Sequence, residues 1–221
     1  YNKVNLKLIG SHGGVSVGYD GGSHQALEDI ALMRVLPRMT VIVPADANEA
    51  EKATLAIAKT KQATYLRLAR DRSPVITTAE SPFIIGRANV LIAPVKPEVV
   101  IVACGQMVYE SLLAAIELSK TGMAVAVINS HTIKPLDEKT ISEWARRAQA
   151  VVVAEEHQAI GGLSEAVAMV LAKNEPWPME VVAVGDKFGQ SGSPKELLEY
   201  YGLTKPAIIK AIQKVITRKQ S

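Results

Sequence analysis

Two histidines, His12 and His24, bracket one aspartate, Asp20, in the stretch GSHGGVSVGYDGGSHQ (residues 10–25), where six of sixteen residues are glycine. The whole chain has only four histidines, so this concentration asks for a reason. A neutral imidazole can donate or accept a proton near pH 7. An ionised carboxylate accepts hydrogen bonds, including those of sugar hydroxyls. Glycine lets the backbone turn tightly and approach a ligand closely. The combination suits a small polar ligand and a proton transfer. The competing interpretation is structural, with Asp20 forming a turn and His24 capping a helix. Arg70, in LRLARDRSP, offers a guanidinium that can grip a phosphate with two prongs. Arg67 and Arg72 are its rivals, and strand alternation turns Arg67 to the face opposite Arg70.

The surrounding patterns predict the elements that must position these groups. Val4–Ile9 reads as a strand, followed by the glycine loop and an amphipathic helix in HQALEDIALMRVL, closed by Pro37. MTVIVPAD is a buried strand, Asp46 caps a helix from Ala47 to about Thr60, and ATYLRLAR is the next strand. Residues 1–75 thus read βαβαβ, part of a parallel sheet with covering helices. Residues 76–97, punctuated by Pro82, Pro94 and Pro97, read as a linker with FIIGRANVLIAP extended. Residues 98–221 resume the alternation, with strands at EVVIVACG, MAVAVINS, AVVVAEE and MEVVAVG. Helices are expected over Val108–Lys120, Asp137–Arg147, Leu163–Ala172, Pro194–Tyr200 and Lys205–Thr217. The fold class is α/β, two domains, each a mostly parallel sheet covered by helices. His12 follows the end of the first strand and Arg70 ends the third, so both fall on the sheet edge where open parallel sheets bind ligands.

Other candidates are weaker. His157 and the Gly161–Gly162 pair lie between a strand and a helix; they could bind an anion on free amides, but tight packing explains them better. GDKFGQSGSP is a polar loop with Ser193 as N-cap and no catalytic role. His131 belongs to a surface between the domains, and Cys104 to a buried strand end. No HExxH, CxxC or phosphate-binding Walker pattern occurs, and no metal site can be written. The chain has 221 residues, 48% hydrophobic, with a net charge of +3 and one cysteine. These values point to a folded protein of a reducing cytoplasm and away from nucleic acid. No apolar run approaches the ~20 residues that span a bilayer. The loop with the candidate groups follows the first strand at once, so the front of a domain is expected upstream.

The stretch SHGGVSVGYDGGSHQALEDIALMRVLPRMTVIVPADANEAEKA resembles the pyrimidine-binding domain of transketolases. INSHTIKPLDEKTI, VVAEEHQAIGGLSEAV and FGQSGSPKELLEYYGLT are similar to the transketolase C-terminal domain. The likeness covers nearly the whole chain, and is greatest to the small C-terminal subunit of transketolases split into two polypeptides. Two departures, Tyr19 for the usual glutamate and Gly22 for the usual proline, leave the three polar positions intact.

The resemblance implies a thiamine-diphosphate-dependent transfer of a two-carbon ketol unit between sugar phosphates, in the pentose phosphate pathway. It implies that His12 contacts the sugar, Asp20 a donor hydroxyl, His24 the aminopyrimidine of the cofactor, and Arg70 the substrate phosphate. It also implies that the activating glutamate lies upstream of this chain, and that the diphosphate and Mg²⁺ are held by another domain. The expected partners are an N-terminal diphosphate-binding subunit and further copies of the chain, and the chain alone is expected to be inactive. The alternatives are deoxyxylulose-phosphate synthase, the β chain of a 2-oxoacid dehydrogenase, or a non-catalytic assembly module of such an enzyme.

Overall fold

The computed structural model describes residues 2–220; Tyr1 and Ser221, which end the two expected domains, lie outside the described residues. Two sheets form. The first contains β1 (Lys7–Gly10), β2 (Thr40–Ile42), β3 (Thr64–Arg67) and β7 (Thr132–Lys134) in the order β1-β3-β2-β7. The second contains β4 (Asn89–Ile92), β5 (Val99–Ala103), β6 (Val125–Asn129), β8 (Val151–Gln158) and β9 (Met179–Val184) in the order β4-β6-β5-β8-β9. Pairing is parallel except at β7 on β2 and β4 on β6. The helices are α1 (Asp29–Val35), α2 (Ala47–Ala58), α3 (Met107–Ser119), α4 (Glu138–Ala148), α5 (Leu163–Lys173), α6 (Pro194–Tyr200) and α7 (Lys205–Gln220). The α/β class with two mostly parallel sheets is the one the sequence pattern predicts.

β5 is the continuous buried run VVIVA, and β6 and β8 open with the buried runs VAVI and VVVA before turning polar, as a helix-covered parallel sheet requires. Caps fall where expected. Asp46 accepts from Glu49 N–H at 2.9 Å. Ser193 forms a capping box, its N–H donating to Glu196 Oε2 at 2.9 Å and its Oγ accepting from Glu196 N–H at 3.3 Å.

Two local expectations are corrected. β3 ends at Arg67, so Arg70, expected as the last residue of that strand, lies beyond it. Residues 26–28 are not helical, so α1 begins only at Asp29. Tertiary backbone bonds hold Ala26 and Leu27 outside the helix: Gly14 N–H donates to the Ala26 carbonyl at 2.8 Å and Gln158 N–H to the Leu27 carbonyl at 2.9 Å. Thr132–Lys134, to which the sequence pattern assigns no element, forms β7 antiparallel to β2, pairing Ile42 with Thr132 and Val41 with Lys134. The stretch 76–97 contains β4, an edge of the second sheet. The lobes share a core. Ile30, Met39, Val41, Val43 and Tyr65 of the first pack with Val100, Val102, Ile128, Val153 and Leu163 of the second.

Candidate active site

The glycine loop lies on the carboxyl edge of the first sheet. Gly13 N–H donates to the Leu68 carbonyl at 3.1 Å, which ties the loop's start to the segment leaving β3. Two 3₁₀ turns follow, Gly18–Asp20 and Gly22–His24. His12 is half-buried, with φ +63°, and its Nδ1 lies 3.0 Å from Ser11 Oγ. His24 is exposed at the end of the second turn, its Nδ1 3.1 Å from Ser23 Oγ.

Asp20 and Arg70 come together. Asp20 Oδ2 stands 3.1 Å from Arg70 Nε, with 32% and 40% of the two side chains exposed. Arg70 Nη1 also donates to the Val17 carbonyl at 3.2 Å. Among the described residues no hydrogen bond or ion pair links His12 or His24 to this pair. Arg70 therefore presents a partly exposed cation at the rim, braced by an acid that has its own exposed edge.

Arg67 is buried and serves the loop from below. Its Nε donates to Asp29 Oδ2 at 2.8 Å, and its Nη2 to the carbonyls of Ala26 at 2.9 Å and Glu156 at 3.0 Å. Tyr65 Oη donates to the same Asp29 oxygen at 2.6 Å. Burial opposes the charge on Asp29, but Arg67 and Tyr65 outweigh it and hold its pKa below the ordinary value. Burial likewise opposes the Arg67 cation, and Asp29 outweighs it, raising the guanidinium pKa. Glu156 accepts from Ser16 N–H at 2.6 Å and from Gln106 Nε2; burial pushes its carboxyl up, with Arg67 pulling the other way. This network was not legible beforehand. A charged residue inside the apolar run Tyr65–Leu68 was the available signal for Arg67, but nothing local marks Asp29 or Glu156 as its partners.

Beside the network is a cavity of about 470 Å³ at the carboxyl ends of β2, β3 and β5, lined by Gly13, Arg67, Arg72, Cys104, Gln106 and Glu156 among others. Burial pushes the Cys104 thiol well up, so it stays protonated and is no nucleophile.

The remaining candidates are structural. Glu155 occupies the start of α5, accepting from Leu163 N–H at 2.7 Å and Ser164 N–H at 2.8 Å, so those amides are not free for an anion. His157 is buried, its Nδ1 2.8 Å from the Gln158 carbonyl and its Nε2 accepting from Ala31 N–H at 3.4 Å. His131 lies at the junction of the lobes but is fully buried, its ring stacked on Phe83 at 4.3 Å. Its carbonyl accepts from Val43 N–H at 2.8 Å.

Comparison with known proteins agrees with this architecture. Residues 1–75 match the family model for the transketolase pyrimidine binding domain, and residues 86–208 that for the transketolase C-terminal domain. The chain is 38% identical over 219 residues to a 6-deoxy-6-sulfo-D-fructose transketolase subunit of Clostridium sp. strain MSTE9, covering 99% of this chain and 67% of that one. It is 37% identical over 222 residues to a putative transketolase C-terminal section of Methanocaldococcus jannaschii, covering 99% and 69%. Against transketolase-like protein 2 of Mus musculus it is 37% identical over 218 residues, covering 98% of this chain but 35% of that one. The chain thus spans between about a third and two thirds of the length of these relatives. Among solved structures, a split gene transketolase described as an inactive β4 tetramer superposes with a TM-score of 0.89 at 42% identity, covering 96% of this chain and 67% of that one. Transketolase from Campylobacter jejuni shares the fold with a TM-score of 0.76 at 23% identity, covering 94% and 31%. With both lobes matched in order, and the glycine loop and its arginine on the carboxyl edge of the first, the chain belongs to the transketolase family.

Proposed function

We propose that this chain is the C-terminal part of a thiamine-diphosphate-dependent transketolase that moves a two-carbon ketol unit between sugar phosphates, in the cytoplasm and within pentose phosphate metabolism. The observation that carries this reading is the Asp20–Arg70 pair at 3.1 Å on the rim of the glycine loop. It sets a hydroxyl acceptor beside a phosphate receptor. At this exposure such a pair is worth only about 0–1 kcal/mol, so Arg70 can turn to an incoming phosphate at little cost. Asp20 then retains a carboxylate oxygen for a sugar hydroxyl, and the half-buried His12 lines the same loop.

The residues present fit the pyrimidine side of the cofactor. His24 is exposed, and only its Nδ1 is engaged, which leaves Nε2 to hold or pass a proton at the aminopyrimidine. Thiamine diphosphate, when bound, supplies the electron sink for breaking and making the carbon–carbon bond. Among the described residues no group of three acidic, histidine or cysteine side chains could hold a metal ion. The resemblance to transketolases assigns the diphosphate and Mg²⁺ to an N-terminal diphosphate-binding subunit. The names of the split-gene relatives support that partner and support self-association. On this reading the chain alone has no ketol-transfer activity.

The test is steady-state kinetics of the chain combined with such a subunit, thiamine diphosphate and Mg²⁺. Arg70→Ala removes a charge-assisted bond worth about 1.5–3 kcal/mol, a rise of about tenfold to a hundredfold in KM for phosphorylated sugars. The loss shrinks for unphosphorylated ones. Equal impairment of both substrate classes would refute the phosphate role of Arg70. His24→Ala lowers kcat more than KM.

A further inference from the structure

The turns that carry Asp20 and His24 are gripped from the other lobe. Gln25 Nε2 donates to the Gln190 carbonyl at 2.7 Å, and Gln190 N–H donates back to Gln25 Oε1 at 3.1 Å. The side-chain amide thus stands in for a peptide group in a two-bond ladder. The same Nε2 lies 3.4 Å from the Val15 carbonyl, so one side chain ties the start of the loop to its end. Next to it the backbones of Gly22 and Gly189 touch. A Cβ on Gly22 would meet the Gly189 carbonyl oxygen at 2.7 Å and carbon at 2.8 Å, peptide atoms that cannot move aside. Pro194 closes over Gly18, where a Cβ would meet its Cδ and Cγ at 2.8 Å.

Bonds inside the loop transmit this grip. Gly21 N–H donates to the Gly18 carbonyl at 3.0 Å, His24 N–H to Gly21 at 3.0 Å, and Gln25 N–H to Gly22 at 3.3 Å. The turn holding Asp20 therefore cannot rotate without breaking the contacts at Gly18, Gly22 or Gln25.

We propose that Gln25 is a positioning residue. Through it, the glycine loop of the second lobe, residues 188–193, aims the Asp20 carboxylate and Arg70 guanidinium at the sugar phosphate. The ligand class rests on the function proposed above, whereas the clasp is a property of the chain alone. The clasp needs a donor and an acceptor on one planar group. Glutamate has no donor for the Gln190 carbonyl and sets a carboxylate against it.

The experiment is ¹⁵N NMR with amide exchange on the 221-residue chain, free and titrated with ribose 5-phosphate. Two arginine Nε–H resonances are followed: Arg70, paired with Asp20, and Arg67, locked to Asp29. Gln25→Ala and Gln25→Glu are expected to shift or broaden the Arg70 resonance and leave Arg67 unmoved. They should also raise exchange at Gly21, His24 and Gln25 by about tenfold, the scale of the lost bonds, over amides of α3. Gly22→Ala, which leaves the Gln25 amide intact, should perturb the same resonances by displacing Gly189. An unchanged Arg70 resonance in the Gln25 variants, or exchange raised equally throughout the protein, overturns the proposal. If the sugar phosphate leaves Arg70 unmoved in the parent chain while Gln25→Ala still moves it, the ligand reading fails and the clasp stands.

Discussion

His131 should make this protein lose stability in weak acid, by an amount its surroundings allow to be worked out. Its side chain is fully buried, packed on Phe83, with Nδ1 3.0 Å from Thr132 Oγ1 and Nε2 without a partner. Burial lowers its pKa from 6.5 to about 4. The unfolded chain therefore binds a proton on this ring as pH falls through 6.5, while the folded chain refuses it down to about 4. The contribution is complete above pH 6.5 and is lost as pH falls through that window. The full difference is about 3 kcal/mol, of which about 2.5 kcal/mol is gone at pH 4.5. The perturbation is His131→Phe, which keeps a ring against Phe83 and cannot titrate. It leaves Thr132 Oγ1 without this partner, a pH-independent cost of about 1 kcal/mol. Urea unfolding of both proteins at pH 7 and pH 4.5 is the assay. The parent should lose about 2.5 kcal/mol more than the variant between the two pH values. Other groups that titrate there, such as buried Glu49, whose pKa burial raises, are common to both and cancel. Equal losses, or an NMR titration of the His131 ring near its ordinary value, would refute the reasoning.

Three further outcomes are expected. Arg67→Met leaves the Asp29 carboxylate buried without its cation and should cost about 3–5 kcal/mol in chemical unfolding; a loss under about 1 kcal/mol would show that the network is not structural. Asp46 accepts from Glu49 N–H, Ile76 N–H and both Thr77 N–H and Oγ1, at 2.6–2.9 Å. Burial works against its charge, yet these bonds outweigh it and lower the pKa below 3.8. Its stabilisation is present above that value and lost as pH falls below it, so Asp46→Ala should cost about 2–3 kcal/mol at pH 7, with the gap to the parent closing in strong acid. Cys104, buried with its thiol pushed up, should resist iodoacetamide at pH 8 in the folded chain and react on unfolding; labelling without unfolding would contradict its burial.

What the sequence alone determined follows from periodicity and local chemistry. β-Branched runs such as VVIVA at Val99–Ala103, short and bounded by turn residues, read as buried strands. Asp46 and Ser193 announce helix starts because a cap is made within four residues. The clustering of His12, Asp20 and His24 among glycines was likewise visible, and Arg70 was placed at a strand end, although β3 stops at Arg67. Tertiary structure alone decided the rest, because those interactions join residues far apart in the chain. Ser16 N–H meets Glu156 across 140 positions, and Gln25 meets Gln190 across 165. β7 has only three residues, Thr132–Lys134, too few for an alternating pattern, and becomes a strand because the edge of β2 is open to it. Arg67 and Arg70 carry the same side chain three positions apart. The partners packed around them, Asp29 in a buried cleft and Asp20 on an exposed turn, make one a structural ion and the other a group at the rim.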